Sequence, residues 1–136
     1  MKSIQKIIGE FGGPAALRES GKISIHIDPF NDLFIECEGR TSPNGLASVS
    51  VCFVTRERGA VPLQVLMRFE ICDMGWYPYY FRNELEGFEG KVYKLDEEGR
   101  IISVDPGMKQ LLKEAAKFWD GQLERLDCVN MGGIRS

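Results

Sequence analysis

Residues 47–71, ASVSVCFVTRERGAVPLQVLMRFEI, decide the fold. Ala47, Val49, Val51 and Phe53 fall on one side of an alternating run, with Ser48 and Ser50 on the other. Arg56, Glu57, Arg58 and Gly59 interrupt it as a charged turn. The alternation then resumes: Leu63, Val65, Met67, Phe69 and Ile71 share one side, and Gln64, Arg68 and Glu70 the other. Successive strand residues point to opposite faces, so a period of two on both sides of a turn predicts a β-hairpin. Polar residues along the second side predict a sheet covered on one face only.

Towards the N-terminus the same period recurs. Ile23, Ile25 and Ile27 alternate with Ser24, His26 and Asp28, and Leu33, Ile35 and Cys37 form a second run beyond a turn at residues 29–32. Residues 38–45, EGRTSPNG, read as a loop. Before these strands the period is helical: Ile4, Ile7, Ile8 and Phe11 line one face, Ser3 is placed to cap it, and Gly12-Gly13 stops it. Pro14 suits the first turn of a second short helix over about residues 15–19, which Ser20-Gly21 ends.

Towards the C-terminus, Trp76, Tyr77, Tyr79, Tyr80 and Phe81 crowd around Pro78, followed by Arg82 and Asn83. Short strands are expected at residues 91–95 and 100–104, with a turn at 96–99. Asp105 is placed to cap a long helix with Pro106 at its first position. Its inner stripe reads Met108, Leu111, Leu112, Ala115, Phe118, Trp119, Gln122, Leu123 and Leu126. Gly121, inside that helix, marks a close backbone approach or an early fraying point. Helices, then strands, then a helix predict an α+β fold, with an antiparallel sheet of about five to six strands and the terminal helix packed on it. Residues 1–129 form one domain and residues 130–136 a flexible tail.

The chain has 136 residues and a net charge of -3, enough length for one real core. An acidic balance argues against nonspecific nucleic-acid binding. Cys37, Cys52, Cys72 and Cys128 form no CxxC pair and read as reduced structural thiols in a cytoplasmic protein. No secretory signal or membrane-spanning segment is evident.

No motif carries catalysis. His26 is the sole histidine, and no spacing supplies the converging ligands of a zinc site. Gly12-Gly13-Pro14 lacks the residues of a phosphate loop. The segment FGGPAALRESG is similar to the opening of phage helix-turn-helix repressors, but it continues as KISIHID, a strand where a recognition helix belongs. The aromatic cluster is the remaining candidate. Trp76, Tyr77, Tyr79, Arg82 and Asn83 are the residues expected to form a binding surface, because Trp, Tyr and Arg are enriched at interaction hot spots. Packing between sheet and terminal helix is the competing use of the same rings. The preferred reading is a non-enzymatic domain with a protein partner. A second reading puts single-stranded nucleic acid on these aromatics, with Arg40, Arg56, Arg58 and Lys91 as phosphate contacts. A third is a metal-assisted enzyme using Glu70, Asp73 and Glu84. No cofactor or membrane partner is expected, and open sheet edges are compatible with a homodimer.

The run MRFE, GWYPYYFRNELEG and VYKLDEEGRI, followed by LLKEAAKFWDGQLERL, resembles a bacterial domain family of unknown function found on plasmids, phages and other mobile elements. The matching positions are Met67, Phe69 and Glu70; Trp76 and Pro78; Tyr80, Arg82, Asn83, Glu84 and Gly87; and Phe118, Trp119 and Leu123. The chain departs from the family pattern at the hairpin, where it has Cys52-Phe53, Arg58-Gly59-Ala60 and Gln64-Val65 in place of His-Tyr, Asn-Gly-Asp and an Asp-Pro before the Met. The resemblance implies a small soluble α+β accessory protein and supplies no mechanism.

Overall fold

The computed structural model describes residues 2–28, 31–37, 41–56 and 62–130, with residues 28 and 125–130 described by backbone alone. Two helices open the chain, α1 (Lys2–Glu10) and α2 (Gly13–Ser20). Ile4, Ile7 and Ile8 are buried along one side of α1, as their spacing predicts. Ser3 does not act as a cap. It lies inside α1, its N–H donates to Asp120 Oδ1 at 2.8 Å, and its hydroxyl donates to the Asp120 carbonyl at 3.1 Å. Ser3 therefore ties the first helix to the last. The break between α1 and α2 runs through Gly12 and Gly13, at φ 104° and 89°, a left-handed backbone that strains any residue with a Cβ.

Six antiparallel strands follow: β1 (Lys22–Asp28), β2 (Asn31–Glu36), β3 (Ala47–Thr55), β4 (Leu63–Cys72), β5 (Gly75–Asn83) and β6 (Phe88–Lys91). Their spatial order is their sequence order. The hairpin read from residues 47–71 is the centre of the sheet, with Val49 opposite Phe69, Val51 opposite Met67 and Phe53 opposite Val65. Of the turn expected at 29–32, residues 29 and 30 lie outside the described residues, and residues 31 and 32 belong to a strand. β2 starts at Asn31, and Asp32 already pairs with His26 and Val54.

Two segments differ more deeply from the sequence reading. The aromatic cluster is itself a strand, β5. Pro78 is tolerated there because β6 pairs only with Tyr80 to Asn83, so Pro78 lies where β5 is an edge. The runs read as strands at 91–95 and 100–104 do not extend the sheet. β7 (Tyr93–Leu95) and β8 (Ile101–Val104) pair with each other as a separate ribbon.

Asp105 caps α3 (Pro106–Asn130) as expected, its Oδ1 accepting from the Met108 N–H at 2.9 Å. The inner stripe is narrower than predicted. Leu112, Ala116 and Leu123 are buried, and Met108, Ala115 and Trp119 pack beside them. Leu111 and Phe118, seven residues apart on the flank of this stripe, are 43% and 58% exposed. Trp119 meets Phe53 across the sheet, ring centroids 5.7 Å apart. α3 packs on α1 and on β1, β5 and β6. Gly90 permits that approach, since a Cβ there would lie 2.6 Å from Met108 Sδ. Gly121 marks no such contact: a Cβ would meet nothing within 4 Å. Helix α3 continues through Asn130, and residues 131–136 of the expected tail lie outside the described residues. No helix of the described chain is long and apolar enough to cross a membrane.

Candidate functional site on the open face of the sheet

Alternation gives the sheet two faces. Ile23, Ile25, Leu33, Ile35, Val49, Val51, Val65, Met67 and Phe69 face the helices and form the core. The intervening residues face the other way; α2 borders them at the β1 edge beside Ser24, His26 and Phe34, and Lys113 of α3 reaches the Tyr77 ring. Cross-strand register sorts this open face into three zones.

At one end the loop 41–46 and the β7–β8 ribbon fold over the sheet. Glu70 is only 3% exposed there. Its carboxylate accepts from the Tyr93 hydroxyl in a very short hydrogen bond and from Asn44 Nδ2 at 3.1 Å. Asn44 Nδ2 also donates to the Tyr93 oxygen at 2.7 Å. The Tyr79 and Ser48 hydroxyls share a 2.6 Å hydrogen bond beside them. Burial, then the bond to Glu70, holds the Tyr93 phenol well above the usual tyrosine range, so it stays a donor. A buried carboxylate paired to hydroxyl and amide donors pins a loop and a ribbon in place.

At the other end Asp32 is buried between His26 and Arg56. Its Oδ1 accepts from His26 Nδ1 at 2.5 Å and its Oδ2 from Arg56 Nη1 at 2.6 Å. Burial raises its pKa, but the hydrogen bonds from His26 and Arg56 outweigh that and hold the carboxyl below the ordinary aspartate range. Arg56 is thus engaged within the fold.

Between these ends lies a different kind of surface. Leu66 is opposite Arg82, and Arg68 is opposite Tyr80. The four make a checkerboard with the two arginines on its diagonal. On the β3 side, Cys52 is opposite Leu66 and Ser50 opposite Arg68. On the β6 side, Glu89 is opposite Arg82 and Lys91 opposite Tyr80. Arg68 lies over the Tyr80 ring at 5.0 Å, and the Tyr80 hydroxyl donates to Glu89 at 2.6 Å. The Nε atoms of both Arg68 and Arg82 are shielded from solvent without a hydrogen-bond partner among the described residues. Each such donor costs about 1–3 kcal/mol relative to a paired one. Burial, and then Glu36, pushes the Cys52 thiol up, which leaves it an apolar neighbour of Leu66 and a poor nucleophile. A shallow depression runs across Phe34, Cys52, Leu66 and Arg68.

The structure divides the five residues expected to share one binding surface. Arg82 stands in the middle of the open face. Tyr79 joins the Glu70 corner, its ring 6.3 Å from Tyr93. Trp76 packs on Phe69 at 5.6 Å. Asn83 is buried, and its Oδ1 accepts from the Leu85 N–H at 3.0 Å to fix the turn after β5. Tyr77 is opposite Glu70 in register, its ring 5.9 Å from Lys113 Nζ. Of the expected phosphate contacts, Lys91 borders the checkerboard, Arg56 holds Asp32, and Arg40 and Arg58 lie outside the described residues. The three carboxylates have separate settings: Glu70 in its buried network, Asp73 exposed in the β4–β5 turn, and Glu84 accepting from the Gln64 N–H at 2.8 Å. Among the described residues no three His, Cys, Asp or Glu side chains gather where they could hold a metal ion. Sequence reasoning missed Leu66, Arg68 and Asn44. Arg68 had a signal, its place on the polar side of the β4 alternation; Asn44 had none.

The middle of the face brings cations and half-buried apolar side chains together. No curated protein and no solved structure matches the chain. A family model described as a domain of unknown function, DUF6908, matches residues 2–125. The chain therefore belongs to the DUF6908 family.

Proposed function

We propose that this chain is a small non-enzymatic protein-interaction domain, an accessory protein of a bacterial mobile element, that engages its partner through the open face of the sheet. The observation that carries the reading is the pair of buried guanidinium Nε donors, on Arg68 and Arg82, that find no hydrogen-bond partner among the described residues. Folding alone gives no reason to keep two such donors side by side, whereas a partner that satisfies them does. Phe34, Cys52 and Leu66, half-buried within a charged rim, fit the apolar-centre, polar-rim pattern of an interface. The mobile-element setting rests on the resemblance carried by the Met67–Glu70, Trp76–Pro78 and Phe118–Trp119 positions.

A second reading, single-stranded nucleic acid, has one observation in its favour: Tyr80 with Arg68 above it is the composition of a base-stacking platform. Against it stand Glu36 and Glu89 on the same face and the net charge of -3, which oppose a polyphosphate chain.

The experiment uses the wild type and a Leu66→Glu variant as baits on a nuclease-treated bacterial lysate. The retained protein is then purified and titrated against both. Binding by the wild type that is lost in the variant, at unchanged melting temperature, supports the proposal. Equal binding by both baits overturns it, and material that disappears with nuclease moves nucleic acid to first place.

A further inference from the structure

We infer that the Arg68–Arg82 diagonal grips an extended acidic peptide segment of the partner, in which two acidic side chains are separated by one residue. This rests on the interaction reading and names its ligand chemistry.

Each guanidinium has one open edge. Nε is shielded in both residues, so the side-on edge, built from Nε and one Nη, is closed. The end-on edge, formed by the two Nη groups, makes no hydrogen bond to a described residue. An end-on fork matches the two oxygens of a carboxylate. The second step is spacing. Arg68 and Arg82 are diagonal neighbours on paired antiparallel strands, a relation that separates side chains by roughly 7–8 Å. Alternate residues of an extended peptide place side chains on one side about 6.6–6.8 Å apart. Two acidic residues one apart therefore meet the two forks in register, while adjacent acidic residues would point to opposite sides.

The third step is the surrounding charge. Lys91, opposite Tyr80, adds a cation at one corner. Glu89, opposite Arg82, and Glu36, two strands from Arg68, bound the positive patch on either side. The patch is thus long enough for two carboxylates, and Glu36 separates it from Lys22, the next cation on this face. Leu66, opposite Arg82, and Cys52 beside it give the aliphatic stems of the acidic side chains an apolar floor.

The probe is a fluorophore-labelled heptapeptide, acetylated and amidated, with glutamates one residue apart, titrated by anisotropy into the full chain. Controls are the same composition with adjacent glutamates, an unlabelled oligothymidylate, and inorganic pyrophosphate. Arg68→Lys and Arg82→Lys each keep the charge and remove the fork, and each should weaken the spaced peptide by about tenfold. The adjacent-glutamate peptide should bind at least as weakly as that. Competition by oligothymidylate or pyrophosphate that exceeds the spaced peptide overturns the inference in favour of phosphate. Equal binding of the two peptides reduces it to general charge attraction and overturns the register argument. If the spaced peptide fails to bind, Arg68→Ala and Arg82→Ala are tested against the Leu66-dependent protein partner. Retained binding then overturns the acidic-peptide inference and leaves the open-face reading standing. Loss of binding places the arginines at the interface but still overturns the acid-spacing inference.

Discussion

The two faces of strand β4 are built on opposite principles. On one side Val65, Met67 and Phe69 are buried beneath the helices. On the other, Leu66 and Arg68 stay partly exposed, with an unpartnered donor between them and the next strand. The covered face is closed by the chain itself. Its contacts are numerous, apolar and mutually redundant, and they account for why the sheet forms. The open face gathers its buried polar networks at its two ends, around Glu70 and around Asp32, while in its middle the Tyr80 hydroxyl donates to Glu89. Its middle carries the two arginines, where an effect on stability and an effect on binding can be told apart by substitution.

The largest effect belongs to the covered face. Phe69 is fully buried and packs on Trp76. Phe69→Ala should lower unfolding free energy by about 3–5 kcal/mol, as transfer and cavity terms add. Chemical denaturation with an unchanged denaturant dependence reads this directly. A loss below about 1 kcal/mol would mean that the helices do not close this face as tightly as Phe69 indicates.

The Glu70 corner comes next, because there the open face behaves like an interior. Tyr93→Phe removes the hydroxyl that donates to a buried carboxylate, and should cost about 1–3 kcal/mol near neutral pH. It has a pH signature as well. The phenol's folded pKa is raised, first by burial and then by its bond to Glu70. The neutral form is therefore favoured by folding. That contribution is complete below the unfolded value of about 10 and declines as pH climbs through the raised folded value. Stability of the wild type should fall above pH ~10 by up to about 1.4 kcal/mol per pH unit from this group, and Tyr93→Phe should lack that component. Parallel alkaline limbs in the two proteins would remove Tyr93 from the account.

Much of this fold was legible because alternation is a local signal. The β1, β3 and β4 core positions follow directly from the period-two runs, and α1 from its isoleucines. The site was less legible for a specific reason. The β4–β5 turn pairs Cys72 with Gly75, a register that would place Leu66 opposite Phe81 and Val65 opposite Arg82 if it ran on unbroken. A bulge between Arg68 and Phe69 shifts it by one residue at Tyr79. A shift of one residue exchanges the two faces of a strand. Phe81 thereby turns into the core, and Arg82 turns out beside Arg68. Nothing in GWYPYYFRN announces the extra residue, so counting from the turn would assign Arg82 to the wrong face. The Glu70 network was illegible for a different reason: Asn44 and Tyr93 are distant in sequence and are brought together only by the folded loop and ribbon.

Gly121→Ala tests whether the covered face has reserve. A Cβ at this position meets nothing within 4 Å, so the substitution should gain about 0.5–1 kcal/mol through helix propensity alone. A neutral or destabilising result would show that α3 needs the glycine for reasons other than close packing.

The smallest expected change in stability falls on the residue most exposed to the functional argument. Arg82→Leu removes a shielded donor that has no partner among the described residues, which favours the variant. It also removes the attraction to Glu89 across the strand pair, which disfavours it. Leucine at this position keeps the contact with Leu66. The terms oppose each other, and the net change should stay within about 0.5 kcal/mol. Partner binding should nevertheless be lost, because the open fork has gone. That dissociation distinguishes a guanidinium kept for a ligand from one kept for the fold. If Arg82→Leu instead unfolds the protein by 2 kcal/mol or more, on the order of a broken charged hydrogen bond, the arginine is a structural element and the open face loses the feature that marks it as a site.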